Sequence, residues 1–457
     1  MVRLYDTLAR RVEELQPREP GRVSMYVCGP TVYDVPHLGH ARTAVVFDTV
    51  RRYLAWAGND VTFVSNVTDI DDKIIARAAR DDTTEPEIAR TYEGVYWRDM
   101  DRLGILRPDR APRATEYVDR MLELVGELVE RGHGYVVDGH GVYFAVDTYD
   151  GYGALSHRRL EDLLESAGGR VEVDEAKHSP VDFALWKAAK PGEPSWDSPW
   201  GPGRPGWHIE CAAMSLDLLG ECFDLHGGGD DLVFPHHENE RAEAEAAGRR
   251  FARHWMHSGM LNVGGEKMSK SLGNFTTLAD ALDAHDPRAL RLAILQTHYR
   301  KAVELGPDEL AASERALDRL DALMRAFEVA GVSLDGVEPD AEVVGAFRAA
   351  MDDDFGTPEA LGTVFAAAHD ANKALSAGDQ NRAASLAAAV RSLAGALGIE
   401  LRSDVGSGDA EIDALVVQRD DARAARDFAT ADRIRDELAQ RGIVLEDTPH
   451  GTVWRHS

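Results

Sequence analysis

A doubly wound parallel α/β sheet, split by an insertion and followed by an α-helical bundle and a small C-terminal α+β unit, is the fold this 457-residue sequence predicts. Three observations lead there. The apolar run Val23-Ser24-Met25-Tyr26-Val27 passes through a Gly/Pro loop into a helical pattern from about His40 to Ala57. A second alternation of strand and helix begins near Pro205. After Phe275 the chain turns to helical patterns rich in Ala, Leu and Arg.

In order, residues 1–115 read as the first half of the sheet: the strand at 23–27, its helix, a strand at Val61-Thr62-Phe63-Val64, then helices. Residues 116–204 read as an insertion, with a helix at 118–131, a strand at 142–146 and a Pro/Gly/Trp-rich run at 191–206. The second half, 205–275, has a strand at 223–226, a turn at Gly227-Gly228-Gly229, a helix from His236 and a strand near Trp255-Met256-His257. Helices at 290–300, 307–329, 341–351, 358–377 and 380–397 read as a bundle, divided into a first region, 276–315, and a second, 316–401. The last unit, 402–457, opens on a polar linker at 402–409. It reads as helical from Glu411 to about Arg441, is stopped by Gly442, and ends in two strands around Pro449-His450-Gly451.

Two short signatures carry chemistry. His37-Leu38-Gly39-His40 lies at the first strand-loop-helix junction, where Gly29, Pro30, Pro36 and Gly39 shape a loop that a ligand can approach and the new helix offers free N–H groups to anions. Two imidazoles there can donate to a triphosphate. Lys267-Met268-Ser269-Lys270-Ser271 sits between Gly264-Gly265 and Gly273 and supplies two ammonium groups and two hydroxyls, the makings of a cationic loop that closes over phosphates. Taken singly, the first is more often a capped helix start and the second a solvated turn; their order and separation favour a nucleotide site.

With the segments around them, these signatures resemble the class I aminoacyl-tRNA synthetases, and among those the cysteine-specific family. The segments are Tyr26-Val27-Cys28-Gly29-Pro30-Thr31-Val32-Tyr33-Asp34, Asn66-Val67-Thr68-Asp69-Ile70-Asp71-Asp72-Lys73, Gly206-Trp207-His208-Ile209-Glu210-Cys211, His226-Gly227-Gly228-Gly229-Asp230-Asp231-Leu232 and Phe234-Pro235-His236-His237-Glu238-Asn239-Glu240. The resemblance spans nearly the whole chain. It implies a Rossmann catalytic domain, an insertion that positions the acceptor end of tRNA(Cys), and anticodon recognition in the C-terminal part. It also implies the reaction: the carboxylate of L-cysteine attacks ATP, accompanied by Mg2+, to give cysteinyl-adenylate and pyrophosphate, and cysteine then passes to a terminal ribose hydroxyl of the tRNA.

Such a transfer depends on alignment and charge neutralisation, so His37, His40, Lys267 and Lys270 are the expected stabilisers of the transition state, with Gly39, Ser269 and Ser271 at the phosphates. By resemblance Asp231 holds the ATP ribose, and Thr31, Thr68, Trp207 and His226 line the amino-acid pocket. Cys28, Cys211, His236 and Glu240 form a candidate metal site. His236 and Glu240 are four apart in a helix-favouring stretch, and two sulfurs, one imidazole and one carboxylate suit zinc better than magnesium or calcium. The same residues also admit a purely structural reading, as small core cysteines and a charged helix start; the resemblance selects the metal. In that family one zinc per chain takes the substrate thiolate as an additional ligand. A pocket relying on shape separates cysteine from serine by only about 10 to 200-fold, whereas protein synthesis needs roughly 10⁴, and a sulfur-preferring position supplies the difference.

No run of about twenty apolar residues and no apolar stretch near Met1 are present, so a cytoplasmic location without membrane contact is expected. The chain is also expected to be a monomer. Three cysteines, two of them assigned as ligands, exclude a disulfide scaffold. The formal net charge of −28 is unexpected for a partner of a polyanion. Only eight of the 51 basic residues are lysine, and the acidic excess is dispersed, which points to a salt-adapted surface with local arginine patches for RNA. Two other readings compete: a ligase passing cysteine to the amine of a small sugar-cyclitol, which has no use for the long C-terminal tail, and a non-catalytic RNA-binding relative, which has no use for the two signatures. Zinc hydrolysis is disfavoured by four protein ligands and the lack of an HExxH helix.

Overall fold

In a computed structural model of the chain, residues 1–167, 177–263, 266–267, 276–403, 410–448 and 451–456 are described. The central sheet has four parallel strands: β1 (Arg22–Val27), β2 (Asp60–Ser65), β3 (Leu225–Gly229) and β4 (His254–Ser258), in the order β4-β3-β1-β2. The chain leaves β1 toward β2 on one side and comes back at β3 on the other, so the order reverses between β1 and β3. The carboxyl ends of the strands therefore open a crevice at that switch point, where ligands of doubly wound sheets bind. Tyr26 pairs in register with both Val64 and His226, and the β1 residues Val23, Met25, Tyr26 and Val27 are buried, as a strand enclosed on two faces requires.

Three helices position the site: α1 (Leu38–Trp56), α2 (Trp207–Leu219) and α3 (Glu238–Ala246). Helix α1 buries Val45, Val46, Phe47 and Val50. The expected turn at Gly227-Gly228-Gly229 is a correction: those residues are the C-terminal part of β3. A Cβ on Gly227 would stand 2.3 Å from the Phe47 ring, and one on Gly228 would stand 2.7 Å from His237, so close packing of α1 and His237 on the strand explains glycine there, not chain reversal.

The insertion carries the helix Val118–Glu130 and a four-stranded antiparallel sheet of Gly134–Val137, Gly141–Phe144, Phe183–Ala188 and Gly203–Pro205, of which the sequence reading found only the second strand. An N-terminal hairpin, Arg3–Asp6 with Arg11–Glu14, lies against β4 through Thr7 N–H to Trp255 O, 2.9 Å.

Two compact units are present, 1–310 with 351–357, and 311–350 with 358–457. The second contains the helix Thr357–Ser376 from its second residue onward and the helix Gln380–Ala396, then Ala410–Ala424 and Phe428–Gln440 and a hairpin of Ile443–Thr448 with Gly451–His456. The single helix expected from 411 to 441 is thus two. Arg426 turns the chain at φ +62°, and Asp427 caps the second helix by accepting from Thr430 N–H at 3.1 Å. Trp454 is buried with Ile412, Val416, Ile434, Leu438 and Ile443, and its indole N–H donates to Asp413 at 2.7 Å. It is a packing anchor of this last unit.

Candidate functional site

The first signature folds into a compact device. His37 is the N-cap of α1; its Nδ1 accepts from Gly39 N–H at 3.0 Å, while His40 Nδ1 accepts from His37 N–H at 3.1 Å. Two of the helix's unpaired N–H groups are thereby satisfied reciprocally, in the manner of a capping box built from imidazoles. Because both Nδ1 atoms accept, each ring carries its proton on Nε2, the form that donates from that nitrogen. Burial, with the neighbouring His37, pushes His40 down to about 3, so it acts as a neutral donor. The rings lie 3.9 Å apart, and a Cβ at Gly39 would stand 2.8 Å from His37, which is why that position is glycine.

Of the second signature, Met268, Ser269, Lys270 and Ser271 lie outside the described residues. Lys267 ends the short strand Glu266–Lys267, paired with Asn262–Val263, and its side chain is likewise undescribed. Where the chain resumes, Thr277 bridges to His37 and Leu278 N–H donates to Pro36 O at 2.9 Å. Thr277 and Leu278, which follow the second signature in sequence, are thereby tied to the first.

Cys28, Cys211, His236 and Glu240 offer one donor atom each, all within 4.8 Å of one another. Cys28 follows β1, Cys211 lies on α2, and His236 and Glu240 come from the turn into α3. Cys28 Sγ is 3.4 Å from Glu240 Oε1, and His236 Nε2 is 3.1 Å from the same oxygen. Four donors about 2.0–2.3 Å from one central ion stand roughly 3.3–3.8 Å apart, so these separations approach tetrahedral coordination. Burial raises the Cys28 thiol well above its usual range and Cys211 to about 11, and it holds His236 far below, a neutral ring. Buried thiols, a neutral imidazole and a carboxylate with no cation against them among the described residues are the donor set a soft divalent ion fits; its charge would favour the thiolates that burial alone disfavours.

A second layer fixes these donors, and the sequence reading did not assign it. His208 Nδ1 lies 2.9 Å from His236 Nδ1, and burial takes His208 down to about 3, so the pair shares one hydrogen bond between neutral rings and leaves His236 Nε2 aimed at the cluster. Asn66 Oδ1 accepts from Gly29 N–H at 2.9 Å and from Cys211 Sγ at 3.7 Å, and its amide donates to Thr68 at 3.2 Å. The signal was present for His208, three residues before Cys211 on one helix.

Of the expected pocket residues, Trp207 stacks on His236 with ring centres 4.2 Å apart, and Thr31 pairs with Thr68 across a parallel bridge. Thr68 is buried and donates to Glu210 at 3.0 Å; burial raises the Glu210 carboxyl well above its usual range. His226 is fully enclosed, stacked on Trp255 at 4.6 Å, with Nε2 2.8 Å from Glu240 Oε2. It steadies the carboxylate from behind. Asp231 is exposed just past β3, in the short turn Asp230–Leu232.

Comparisons with known proteins agree with this architecture. The family described as tRNA synthetases class I (C) catalytic domain matches residues 14–315, the DALR domain matches 346–402, and the cysteinyl-tRNA ligase anticodon binding domain matches 406–455. Cysteine–tRNA ligases of Alkalilimnicola ehrlichii and Halorhodospira halophila are 52% and 51% identical, each over 100% of both chains. Among solved structures, a Mycobacterium tuberculosis methionyl-tRNA synthetase in complex with methionyl-adenylate superposes with a TM-score of 0.60 at 18% identity, covering 82% of this chain and 89% of that one, which speaks to the fold alone. With the strand order, the imidazole-capped helix and full-length relatives in agreement, the chain belongs to the cysteine–tRNA ligases of the class I aminoacyl-tRNA synthetases.

Proposed function

We infer that this chain joins L-cysteine to tRNA(Cys), using ATP with Mg2+, and that a zinc ion held by Cys28, Cys211, His236 and Glu240 selects the amino acid. The observation that carries this reading is the convergence of those four donors, drawn from three segments, at the carboxyl end of β1 beside the His37–His40 turn. Zinc there supplies a coordination position that prefers sulfur to hydroxyl, which is the difference between cysteine and serine. Trp207 and Thr68, stacked and hydrogen-bonded at the edge of the cluster, orient the amino acid, with Thr31 beside Thr68 and His226 holding Glu240.

A cysteine carboxylate oxygen attacks the α-phosphorus, the bond to the bridging oxygen breaks, and pyrophosphate departs. His37 and His40 donate to the triphosphate as neutral rings, adding direction without charge. Lys267 and Lys270, with Ser269 and Ser271, neutralise the departing phosphates, and Gly39 lets the nucleotide approach the backbone. Asp231 receives the ATP ribose hydroxyls. In the second step a terminal ribose hydroxyl attacks the carbonyl carbon, gives up its proton, and AMP leaves.

The anticodon-domain match beyond residue 406 supports an RNA acceptor over a cyclitol. No described helix is long and apolar enough to cross a membrane. A monomer working in the cytoplasm completes the proposal. The test is transfer of labelled cysteine, with serine as control, onto total tRNA from dilute buffer to molar KCl. Charging by cysteine alone is expected, and activity that holds or rises with salt would match a surface of net charge −28. No charging at any salt would contradict the function, and activity falling steadily from dilute buffer would contradict the salt adaptation.

A further inference from the structure

Helix α1 carries a second device two residues past His40. Arg42 is buried, and its guanidinium reaches a segment 252 to 259 residues further on: Nη1 donates to Ile294 O at 2.9 Å, and Nη2 donates to the carbonyls of His298, Tyr299 and Lys301 at 3.2, 3.1 and 3.3 Å. Among the described residues no carboxylate pairs with it, whereas the equally buried Arg291 sits 2.7 Å from Asp48. A cation enclosed without a counter-charge is costly to bury, so its retention here asks for a reason beyond packing. The clamped segment supports the strand that leads to the second signature. Tyr299 O also accepts from Gly259 N–H at 2.7 Å, Val303 N–H donates to Met260 O at 3.0 Å, and Leu305 N–H donates to Asn262 O at 3.1 Å. Strand Leu261–Val263 pairs in parallel with Val303–Glu304 and in antiparallel with Glu266–Lys267, placing Asn262 opposite Lys267. The backbones meet closely: a Cβ on Gly259 would stand 2.5 Å from Lys301 O. Next to Arg42, Thr43 Oγ1 lies 3.2 Å from Ser258 Oγ, which ties α1 to the residue before Gly259.

We propose that Arg42 is a positioning residue for adenylation: it fixes the backbone of Lys267 relative to the His37–His40 turn, so that the two signatures address one triphosphate. The inference rests on the cysteine–tRNA ligase reading and deepens it. Arg42 faces carbonyls, not the crevice, so it acts through Lys267 and not on the nucleotide. His40 and Arg42 stand within one turn of the same helix, which makes α1 a single rigid element bearing both the imidazole donor and the clamp on the Lys267 strand. Misplacing a phosphate-binding group by about 1 Å can cost on the order of 10²-fold in rate, and a planar fork hydrogen-bonded to four fixed carbonyls limits that drift. The metal cluster, carried by the end of β1, by α2 and by the turn into α3, is not part of this path.

A double-mutant cycle on the zinc-loaded full chain separates positioning from mere support. Arg42→Met keeps the stem and removes the fork; it is made in the unmutated chain and in Lys267→Ala. Cysteine-dependent exchange of pyrophosphate into ATP is read in all four proteins, with zinc content, and single-turnover transfer from preformed cysteinyl-adenylate to tRNA(Cys) is read beside it. Arg42→Met is expected to lower the kcat of exchange about 10²-fold while the KM for cysteine, the zinc content and the transfer rate stay within about twofold. In the Lys267→Ala chain, where the group being placed is gone, the same change is expected to cost no more than about twofold. Where Arg42→Met yields no folded protein, Arg42→Lys runs the same cycle: it keeps the charge, lacks the planar fork, and is expected to lose about tenfold in exchange, again only with Lys267 present. An equal loss in both backgrounds, a fall of transfer in step with exchange, or unchanged exchange would each overturn the proposal. Failure of the unmutated chain to exchange pyrophosphate with cysteine would instead overturn the parent reading.

Discussion

The His37–His40 turn and the four-donor cluster lie in the same crevice and are built in opposite ways. The turn is local: each imidazole accepts from a backbone N–H within three residues, so the device is complete once the helix starts. The cluster is assembled from positions up to 212 residues apart, and it brings two thiols that burial keeps protonated against a neutral imidazole and a carboxylate. One site holds its hydrogen-bonding capacity in balance; the other is balanced only with a cation. The local site is suited to a ligand that comes and goes with each turnover, the assembled one to an ion that stays.

Perturbing the cluster should have the largest effect. Cys211→Ala or His236→Ala should lower cysteine-dependent pyrophosphate exchange by about 10³-fold or more, roughly 4 kcal/mol, while leaving ATP binding nearly unchanged. Equal loss of both, measured by exchange kinetics and equilibrium ATP binding, would make the cluster a mere structural support. Next comes the loop they share. A Cβ at Gly29 would fall 1.7 Å from the carbonyl oxygen of Asn66, so Gly29→Ala should cost about 3 kcal/mol in urea unfolding and reduce metal retention at the same time. An alanine variant as stable and as metal-rich as the parent would show that Asn66 does not brace the cluster.

His208→Ala should act on the ion without touching it, weakening metal affinity about 10 to 100-fold in competition with a chelator. His208→Asn, which can still offer a partner to His236 Nδ1, should recover part of that. Smallest is the turn itself: His40→Ala removes one cap and should cost about 1 kcal/mol in unfolding, with metal content unchanged. The pH dependence has a definite sign. His40 is depressed to about 3 in the folded chain against about 6.5 unfolded, so the unfolded chain takes up the proton first as pH falls. The His40 contribution therefore works against folding as pH falls from about 6.5 toward 3, and His40→Ala should flatten stability against pH across that window.

Much of this architecture was legible because it follows from local chemistry. Helix 307–329 starts at a proline and was read to the residue, and β1, the loop and α1 were marked by an apolar run ending in Gly and Pro. The strand through Gly227–Gly229 was read as a turn, because three glycines carry a turn signal and their real cause, the ring of Phe47 and His237, is remote in sequence. The break at Arg426 was missed because no glycine or proline marks it. Within the site, sequence pointed to donors by residue type and motif. It did not point to Asn66 or Glu210, whose roles arise only from what folding places against them.

The central claim is that a metal in the cluster grips sulfur. The measurement that tests it most directly is the visible spectrum of the chain with cobalt(II) in place of zinc, titrated with cysteine and with serine. An added sulfur ligand should strengthen the sulfur-to-cobalt charge-transfer band with cysteine and leave it unchanged with serine. A spectrum that ignores cysteine, from protein that still forms cysteinyl-adenylate, would contradict the account.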